Sequence, residues 1–405
     1  MNPAAFAARY MTRLRGMENI SIPRLFGEAT GMLFKNALVF TEEKGFVRGG
    51  FTVAEGRFAR VFAGETAEKG TDLGGRRVIP GLVDIHIHGA AGADMADADP
   101  DGLRRMGRYL ARRGVTSFVP TAAALPKERL AAAMACASAL SGREGPGCAG
   151  IVGVRMEGPY LSPEKKGAQN GAFLRLPDRS EAEALYELSG GLLRVVDMAP
   201  ELPGAAELAR AVGEKLVVAA GHTQADYETA AAFFDAGGRH LTHLFNAMRP
   251  VHHRSPGVIG AASEREKVTA ELICDGLHVH PSAVRMAFRL FPGRICLVSD
   301  ALRCCGMADG DYELGGLPVR LNNGEARLSD GTLAGSVTDL FECMRRAVSF
   351  GIPEEEAVRA AACRPARVLG LEKELGDIAP GLAADFVVCG NDLRPERVFI
   401  RGEEI

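Results

Sequence analysis

The chain has 405 residues, a formal net charge of −3 and a hydrophobic content of 47%. This length exceeds that of one small domain and suits a large α/β barrel with a smaller appended domain. Acidic and basic residues are mixed along the sequence, which excludes the charge pattern typical of nucleic-acid-binding or anionic-membrane-binding proteins and favours a small substrate.

The first 31 residues precede the first predicted domain. They lack the apolar segment and the small-residue cleavage site of a secretory signal, and no segment of the chain reaches the apolar length of a membrane span. We therefore interpret residues 1–31 as an N-terminal extension and expect a protein that is not exported.

The cysteines indicate a reducing compartment. There are nine of them, an odd number, and no two form a C-x-x-C pair. We therefore expect a cytoplasmic protein. Cys304 and Cys305 are adjacent, and a reactive role is the alternative, but we interpret them as free structural thiols.

Both ends of the chain have a β pattern. From residue 33 to about residue 78, short β-type segments alternate with glycine-containing turns, and the segment "LGDIAPGLAADFVVCGNDLRPERVFIRGEEI" at the C-terminus has the same character. We therefore expect residues 32–80 and 374–405 to form one small β-sandwich domain.

Residues 81–373 alternate predicted strands with amphipathic helices, which is typical of parallel βαβ units. Eight segments qualify as strands: "GLVDIHIHG", "VTSFVPT", "GIVGVRMEGP", "LRVVDMAP", "KLVVAAGHT", "HLTHLFNAM", "VTAELICDGLHV" and "ICLVSDAL". Helices are predicted over 99–113, 126–140, 202–213, 226–236 and 280–291, and in "SVTDLFECMRRAVSFG" after the eighth strand. Eight strands predict a (β/α)8 TIM-like barrel.

Ionisable side chains mark the carboxyl ends of these strands, which otherwise appear apolar along their length. His86 and His88 end the first strand, spaced so that both imidazoles point to one face. Later strands end with Glu157, His222, His243 and Asp300. Because a closed barrel gathers its strand ends around one opening, we expect these six side chains to converge.

Imidazole nitrogens with carboxylate oxygens are the donors that zinc and related transition metals prefer. The pattern leaves two arrangements open: one ion held by Glu157, His222 and His243, or two ions that share Glu157, with His86, His88 and Asp300 serving the second. A bound ion would activate water near neutral pH. Asp300 is best placed to take the proton of that water and to pass it to a leaving amine.

A glycine- and proline-containing loop after the sixth strand predicts an anion-binding region. The loop carries Arg249, His252, His253 and Arg254, and His278 follows the seventh strand. Guanidinium and imidazole groups at a barrel rim bind phosphate or carboxylate well. We interpret His240 and His280 as structural.

The ordered motifs "PGLVDIHIHG", "MEGPYLSPEKKGAQN", "AGHT", "THLFNAM", "SPGVIGA", "CDGLHVH", "LVSDA", "LAGS" and "LGDIAPGLAADFVV" resemble the N-acetylglucosamine-6-phosphate deacetylase family of the amidohydrolase superfamily. The resemblance covers residues 33–405. It implies a (β/α)8 barrel with a β-sandwich built from both termini, and hydrolysis of N-acetylglucosamine 6-phosphate to glucosamine 6-phosphate and acetate.

The resemblance also assigns roles to residues. It implies metal ligation by Glu157, His222 and His243, with His86 and His88 as in members of the two-metal type, and acid/base catalysis by Asp300. Zinc is the expected ion, with iron, manganese or cobalt as alternatives. It implies that Arg254 and His278, with main-chain groups at Asn246 and Ala247, hold the sugar phosphate, and that the arginine acts across the interface of a homodimer.

The chain departs from this family pattern at Gln169, where the family usually has a histidine that contacts the acetyl carbonyl or the oxyanion formed from it. A glutamine amide donates to an oxyanion but cannot become an imidazolium. Gln169 is therefore a predicted catalytic residue whose substitution puts the rate and the preferred acyl group in question.

Three alternatives stay open from the sequence. A deacetylase of N-acetylgalactosamine 6-phosphate, or another amidohydrolase acting on a related acylated amine, would use the same residues. A cyclic amidase of the dihydroorotase kind normally has a carboxylated lysine at strand four, and "LRVVDMAP" contains no lysine. A non-catalytic scaffold would lose ligands that this chain keeps.

Overall fold

Parallel strands that alternate with helices make up most of the fold. The computed structural model describes residues 31–405, so the predicted N-terminal extension lies outside the described residues apart from Gly31. Within the described part of the chain, no helix is both long enough and apolar enough to cross a membrane.

The strands are numbered in chain order. Five come first: β1 (Met32–Thr41), β2 (Gly45–Ala54), β3 (Arg57–Ala63), β4 (Thr71–Asp72) and β5 (Arg77–Pro80). The middle of the chain contains β6 (Leu82–Ile87), β7 (Gly89–Ala90), β8 (Ala93–Asp94), β9 (Val115–Ala122), β10 (Gly150–Ile151), β11 (Val154–Tyr160), β12 (Leu193–Met198), β13 (Val217–Ala220), β14 (Gly238–Leu241), β15 (Thr269–Ile273) and β16 (Ile295–Val298). The last six are β17 (Gly310–Leu314), β18 (Leu317–Asn322), β19 (Glu325–Leu328), β20 (Phe386–Cys389), β21 (Pro395–Ile400) and β22 (Glu403–Glu404).

The α-helices are α1 (Pro100–Arg112), α2 (Lys127–Leu140), α3 (Arg179–Leu188), α4 (Ala205–Val212), α5 (Tyr227–Asp235), α6 (Gly257–Ser263), α7 (Pro281–Leu290), α8 (Leu340–Ser349), α9 (Glu354–Ala361) and α10 (Cys363–Val368). Short 3-10 helices span Met95–Asp97, Pro163–Lys165 and Gly171–Phe173. All six predicted helices are present, and α3, α6, α9 and α10 are additional to the prediction.

The eight predicted barrel strands are all present and parallel. They pair in the order β6, β9, β11, β12, β13, β14, β15 and β16. The Asp300 N–H donates to the His86 carbonyl at 2.9 Å, and the His88 N–H donates to the Ala301 carbonyl at 2.9 Å, which joins the last strand to the first. The predicted barrel is confirmed.

The amino-terminal end of the barrel is filled by apolar side chains. Valines and isoleucines from the strands form a cluster inside the barrel, and Ala366 of α10 and Leu369 pack into the same cluster. The amino-terminal end of the barrel interior is therefore closed by side chains, and the predicted ligands lie at the carboxyl-terminal mouth.

Strands from both chain ends join one eight-stranded mixed sheet, in which β20 pairs with β5, and β21 and β22 extend the sheet outward from β20. The predicted sandwich takes the form of this single sheet, which folds back on itself: the Phe58 N–H of β3 donates to the Leu382 carbonyl at 2.9 Å. Aromatic rings fill its interior, and Phe386 contacts Phe34, Phe51 and Phe399. The exact domain limits, 80/81 and 373/374, stay a prediction.

An insertion after β16 forms a wall beside the barrel mouth. Strands β17, β18 and β19 make an antiparallel sheet that the sequence analysis did not identify. Leu314 of β17 packs with Ala123, Ala168 and Leu302 near the ends of barrel strands. The insertion therefore lies directly against the region where the predicted ligands meet.

Candidate metal centre

The six predicted metal ligands lie together, buried at the carboxyl-terminal mouth of the barrel. They divide into two sets of three whose donor atoms lie within 4.8 Å of one another: His86, His88 and Asp300 in one set, and Glu157, His222 and His243 in the other. All six side chains therefore converge at one opening, as the strand-end positions predicted.

Glu157 lies between the two sets. Its Oε1 atom is 3.1 Å from His222 Nε2 and 2.9 Å from His243 Nε2. Its Oε2 atom is 3.1 Å from His88 Nε2, on the side of the other set. Asp300 Oδ1 lies 3.3 Å from the same His88 nitrogen. Glu157 is thus placed to contact both halves of the centre.

The four imidazoles are held so that Nε2 faces the centre. Each Nδ1 atom has its own acceptor outside the centre: Glu271 Oε2 for His86 at 2.9 Å, the Thr121 carbonyl for His88 at 3.1 Å, the Lys165 carbonyl for His222 at 2.8 Å, and the Asn246 carbonyl for His243 at 3.2 Å. An Nδ1–H that donates outward leaves the Nε2 lone pair pointing inward, which is the arrangement of metal-ligating histidines.

The centre requires positive charge among its donor atoms. Burial and the charge of Arg155 act to lower the pKa of His86, but the carboxylates of Asp300, Glu271 and Glu157 outweigh them and raise it to about 10. Burial acts to raise the pKa of Glu157, yet His86 and the other imidazoles hold it well below its usual range. Protons or metal cations would satisfy this demand.

One atom favours metal cations over protons. His86 Nε2 is buried and makes no hydrogen bond within residues 31–405, although Glu157 Oε1 and Asp300 Oδ1 lie 3.4 and 3.5 Å from it. A buried nitrogen without a hydrogen bond costs free energy, and a cation held by this nitrogen and the neighbouring carboxylates would remove that cost. The donor set of four imidazoles and two carboxylates fits a borderline divalent metal such as zinc.

Three of the candidate ligands lie in strained backbone just beyond their strands. His222 has a φ of 47°, His243 of 26° and Asp300 of 47°, values that non-glycine residues rarely adopt. Strain of this kind is retained where the surrounding structure holds a functional side chain in place. The turn at each strand end therefore directs the side chain toward the centre of the barrel mouth.

A buried network supports the centre from below. Arg155 forms a bidentate pair with Asp197, with distances of 2.8 and 2.7 Å, and it also donates to Glu271. Glu271 accepts from His240 Nε2 at 2.9 Å in addition to His86. The expectation that the strands are apolar along their length is therefore wrong, because a closed barrel can pair such charges in its interior.

A cavity of about 210 Å³ opens above the centre. The predicted substrate residues Asn246, Ala247 and His278 line it, together with Gln169 and the insertion wall at Leu314 and residues 332–335. The Asn246 N–H already donates to the His243 carbonyl at 2.9 Å. Within the described residues this leaves the Ala247 N–H as the free main-chain donor of the predicted pair.

His278 is a cation in the wall of this cavity. Its Nδ1 lies 2.6 Å from Asp275 Oδ2 and its Nε2 lies 2.9 Å from the Ala334 carbonyl. Since both neighbours only accept, both ring nitrogens carry protons. Burial acts to lower the pKa of His278, but the Asp275 carboxylate raises it above its usual value. The ring can therefore attract an anionic substrate group.

Arg254 lies outside this cavity in the single chain. It is exposed, and its guanidinium donates to His253 Nε2 at 2.7 Å. His252 and His253 are exposed on the same loop. The predicted role of Arg254 in phosphate binding stays a prediction that requires a second copy of the chain.

The amide of Gln169 is engaged at both ends. Its Oε1 accepts from the Ala124 N–H at 2.8 Å, and its Nε2 donates to Glu157 Oε2. Gln169 therefore holds the shared carboxylate in position, a role that the sequence analysis did not foresee. One amide hydrogen remains for a substrate oxygen, so the predicted contact with the reacting carbonyl stays compatible with this geometry.

The remaining singled-out residues have structural roles. His240 is buried between Glu271 and Thr269, and His280 caps the amino end of α7. Burial raises the pKa of Cys304 to about 11 and that of Cys305 to about 12, so both thiols stay protonated. These findings agree with the interpretation of the adjacent cysteines as unreactive.

Comparisons with known proteins agree with this geometry. Residues 77–405 match the amidohydrolase family. The N-acetylgalactosamine-6-phosphate deacetylase of Escherichia coli is 36% identical over 335 residues, which are 82% of this chain and 89% of that protein. The N-acetylglucosamine-6-phosphate deacetylase of Vibrio furnissii is 37% identical over 332 residues, which are 82% of this chain and 83% of that protein.

A solved structure is similar over almost the whole described chain. It is a mutant N-acetyl-D-glucosamine-6-phosphate deacetylase from Mycobacterium smegmatis in complex with N-acetyl-D-glucosamine-6-phosphate. The TM-score is 0.87 at 34% sequence identity, and the match covers 92% of this chain and 99% of the other. The barrel and the small sheet therefore have the same arrangement in the two proteins.

The contacts of Gln169 generate a prediction. Gln169→Leu removes both hydrogen bonds, so the Ala124 N–H loses its acceptor and Glu157 Oε2 loses its amide donor. We expect metal affinity or activity to fall by about 10- to 100-fold, as for other residues that orient a ligand. Metal retained after dialysis, measured by atomic emission beside acetate release, checks this.

Two further variants sharpen that test. Gln224 is the other glutamine near the mouth and does not line the cavity. Gln224→Leu should therefore leave retained metal and acetate release unchanged. Gln169→His should keep or raise activity because an imidazole N–H can donate to the same carboxylate. A loss as large as that of the leucine variant would show that the site is built around the glutamine amide.

Proposed function

The chain belongs to the amidohydrolase family, and we propose that it is a metal-dependent deacetylase that hydrolyses the acetamide of N-acetylglucosamine 6-phosphate to glucosamine 6-phosphate and acetate. The observation that carries the proposal is the convergence of four imidazoles and two carboxylates, Glu157 and Asp300, beneath a polar cavity. Relatives that are 36–37% identical over 82–83% of the chain are named N-acetylglucosamine-6-phosphate deacetylases.

The proposed metal ligands are the six residues of the centre, and the proposed cofactor is zinc. Each set of three suits one ion, and Glu157 between them suits a shared ligand, so we propose two ions. Divalent metal bound at such a site lowers the pKa of water toward neutrality and polarises a carbonyl oxygen. The outward hydrogen bonds of the imidazoles orient the donors toward the centre before metal binds.

Asp300 is the proposed acid/base. Burial acts to raise its pKa, but His86 and His88 hold the pKa below its usual value, so the carboxylate is ionised and can accept a proton. We propose that it takes the proton of the attacking water at a carboxylate oxygen and then delivers it to the departing amide nitrogen.

The phosphate group is proposed to lie at the other side of the cavity. The free Ala247 N–H supplies a hydrogen bond in the chain itself, and the cationic ring of His278, whose two N–H groups are engaged by Asp275 and Ala334, contributes its charge. Arg254 would supply a third from a partner subunit, which makes the proposed enzyme a homodimer. The nine cysteines all lie in the described residues and none forms a disulfide, which supports a cytoplasmic location.

The epimer with a galactose configuration is the second candidate substrate, because the Escherichia coli relative named for it is as similar as those named for the glucose form. The glucosamine substrate is favoured because it is named for most of the relatives, including the complex with the high TM-score. A cyclic amidase is disfavoured because β12 lacks the lysine that such enzymes normally have there. A non-catalytic scaffold is disfavoured because the chain keeps all six proposed metal ligands.

Acetate release from the two epimeric sugar phosphates tests the proposal. The enzyme should have a known metal content and be assayed before and after chelation and metal return. We expect preferential release from N-acetylglucosamine 6-phosphate that chelation abolishes and zinc restores. Failure on both sugars with metal bound would refute the proposed function and direct the search to other acylated amines.

Asp300→Asn tests the proton transfer. The amide has nearly the same size but cannot act as a base, so we expect kcat to fall by about 100- to 10,000-fold with little change in substrate binding. Steady-state kinetics beside metal analysis checks this, since a loss of metal would give a different explanation. A kcat close to that of the unmodified enzyme would contradict the role.

Arg254→Ala tests the phosphate contact. Because a guanidinium binds phosphate through charge-assisted hydrogen bonds, we expect kcat/KM to fall by about tenfold or more for the 6-phosphate substrate. The substrate without phosphate, N-acetylglucosamine, should be affected much less. An equal loss for both sugars would place the phosphate elsewhere in the cavity.

A further inference from the structure

A second cavity, of about 650 Å³, lies at the amino-terminal end of the barrel, opposite the metal centre. Residues at the starts of several barrel strands line it, and so does the segment from Arg364 to Gly370, which includes much of α10. Its volume is in the range of small-molecule sites, about 300–1,000 Å³. The reaction proposed above does not use this end of the barrel.

Basic side chains from consecutive strands line the cavity. Five consecutive strands, β12 to β16, each contribute one cation at or just before their first residues: Arg194, Lys215, Arg239, Lys267 and Arg294. Arg364 and Arg367 add two more from α10, whereas the only carboxylates in the lining are Glu214 and Glu266. The strand order places these cations side by side along one arc of the rim.

Several of these cations lack a carboxylate partner. Arg364 is paired with Glu356 and Arg367 with Glu42, so those two are neutralised. Arg294 donates to main-chain carbonyls at the end of α6 and beyond. In contrast, Arg194, Lys215, Arg239 and Lys267 form no salt bridge among residues 31–405, and Arg194 Nε is buried without any hydrogen-bond partner there.

Three of these unpaired cations, Lys215, Arg239 and Lys267, reach solvent, and Arg194 is half-buried. The like charges repel one another, and a bound anion would offset that repulsion; burial of part of the Arg239 side chain lowers its pKa. Helix carboxyl ends, which favour cations, lie at this end of the barrel, but within the described chain they account for the contacts of Arg294 only.

We propose that this cavity is a binding site for a small anionic ligand with two phosphate groups. Neighbouring strands are about 4.8 Å apart, so the cations from β12 to β16 are spread over an arc of roughly 19 Å, more than one phosphate group spans. Guanidinium forks and ammonium groups are the side chains that bind phosphate oxygens. The site is separate from the catalytic cavity and does not depend on the proposed reaction.

Calorimetric titration of the metal-loaded enzyme tests this site. The probes are 2,3-bisphosphoglycerate and 3-phosphoglycerate, which differ by one phosphate group, at fixed ionic strength. We expect the bisphosphate to bind at least about tenfold more tightly and to raise Tm, with the effect weakening as chloride is added. Equal binding of the two probes would overturn the proposal.

Variants assign the binding to this end of the barrel. Arg239→Gln and Arg194→Gln should each weaken bisphosphate binding about tenfold. Arg48→Gln, which removes an exposed charge of the small sheet, and His278→Gln, which changes the catalytic cavity, should leave it unchanged. Binding that is lost in His278→Gln and kept in Arg239→Gln would place the bisphosphate at the metal centre and refute the site.

Two measurements separate binding from a structural role. Arg239→Lys keeps the charge and should keep most of the binding that Arg239→Gln loses. Without added anion, Arg239→Gln should have a Tm equal to or above that of the unmodified enzyme at low salt, because a repelling charge is removed. A lowered Tm with an unchanged response to the bisphosphate would show that Arg239 only supports the fold.

Discussion

The buried guanidinium of Arg155 holds together the interior of the barrel beneath the metal centre. It contacts four other strands or strand ends through Asp197, Glu271, Thr242 and the Ile85 carbonyl. Removing one partner from such a buried network typically costs about 3–5 kcal/mol, because the other charge is left uncompensated. The ligands depend on it directly: Glu271, held by Arg155, accepts the Nδ1 proton of His86 and the main-chain N–H of His243.

Much of this arrangement could be predicted from local sequence. Strand periodicity predicted the barrel, and the ionisable residues at the strand ends predicted which six side chains meet at its mouth, because both patterns are visible in local sequence. Arg155, Asp197 and Glu271 were missed, since each is a single charge within an apolar segment and its partner lies on another strand. A signal was nevertheless present: Arg155 lies two residues before Glu157, so the two side chains share one face of β11.

Other omissions have different physical causes. The insertion of β17 to β19 has hairpin turns at Gly315–Gly316 and Asn323–Gly324, which are recognisable turn sequences, but the strands are short and one side is exposed. The contact of Gln169 with Glu157 joins a loop to a strand and has no sequence signature. Arg254 lies outside the cavity of the single chain, so its proposed role would require a second copy, whose placement the sequence of one copy cannot specify.

The short strand β14 shows how one element can serve both ends of the barrel. Within five residues the chain passes from Arg239 at the amino-terminal end, through His240 in the buried network, to His243, which lies just beyond the strand in the candidate metal centre. Extended chain rises about 3.3 Å per residue, so Arg239 and His243 are at most roughly 13 Å apart along the chain. Between them, Glu271 accepts from both His240 and the His243 N–H. Glu271 therefore fixes this segment at its middle, because neither end can shift along the strand axis without breaking these hydrogen bonds. The cation at one end and the candidate metal ligand at the other thus stay in place.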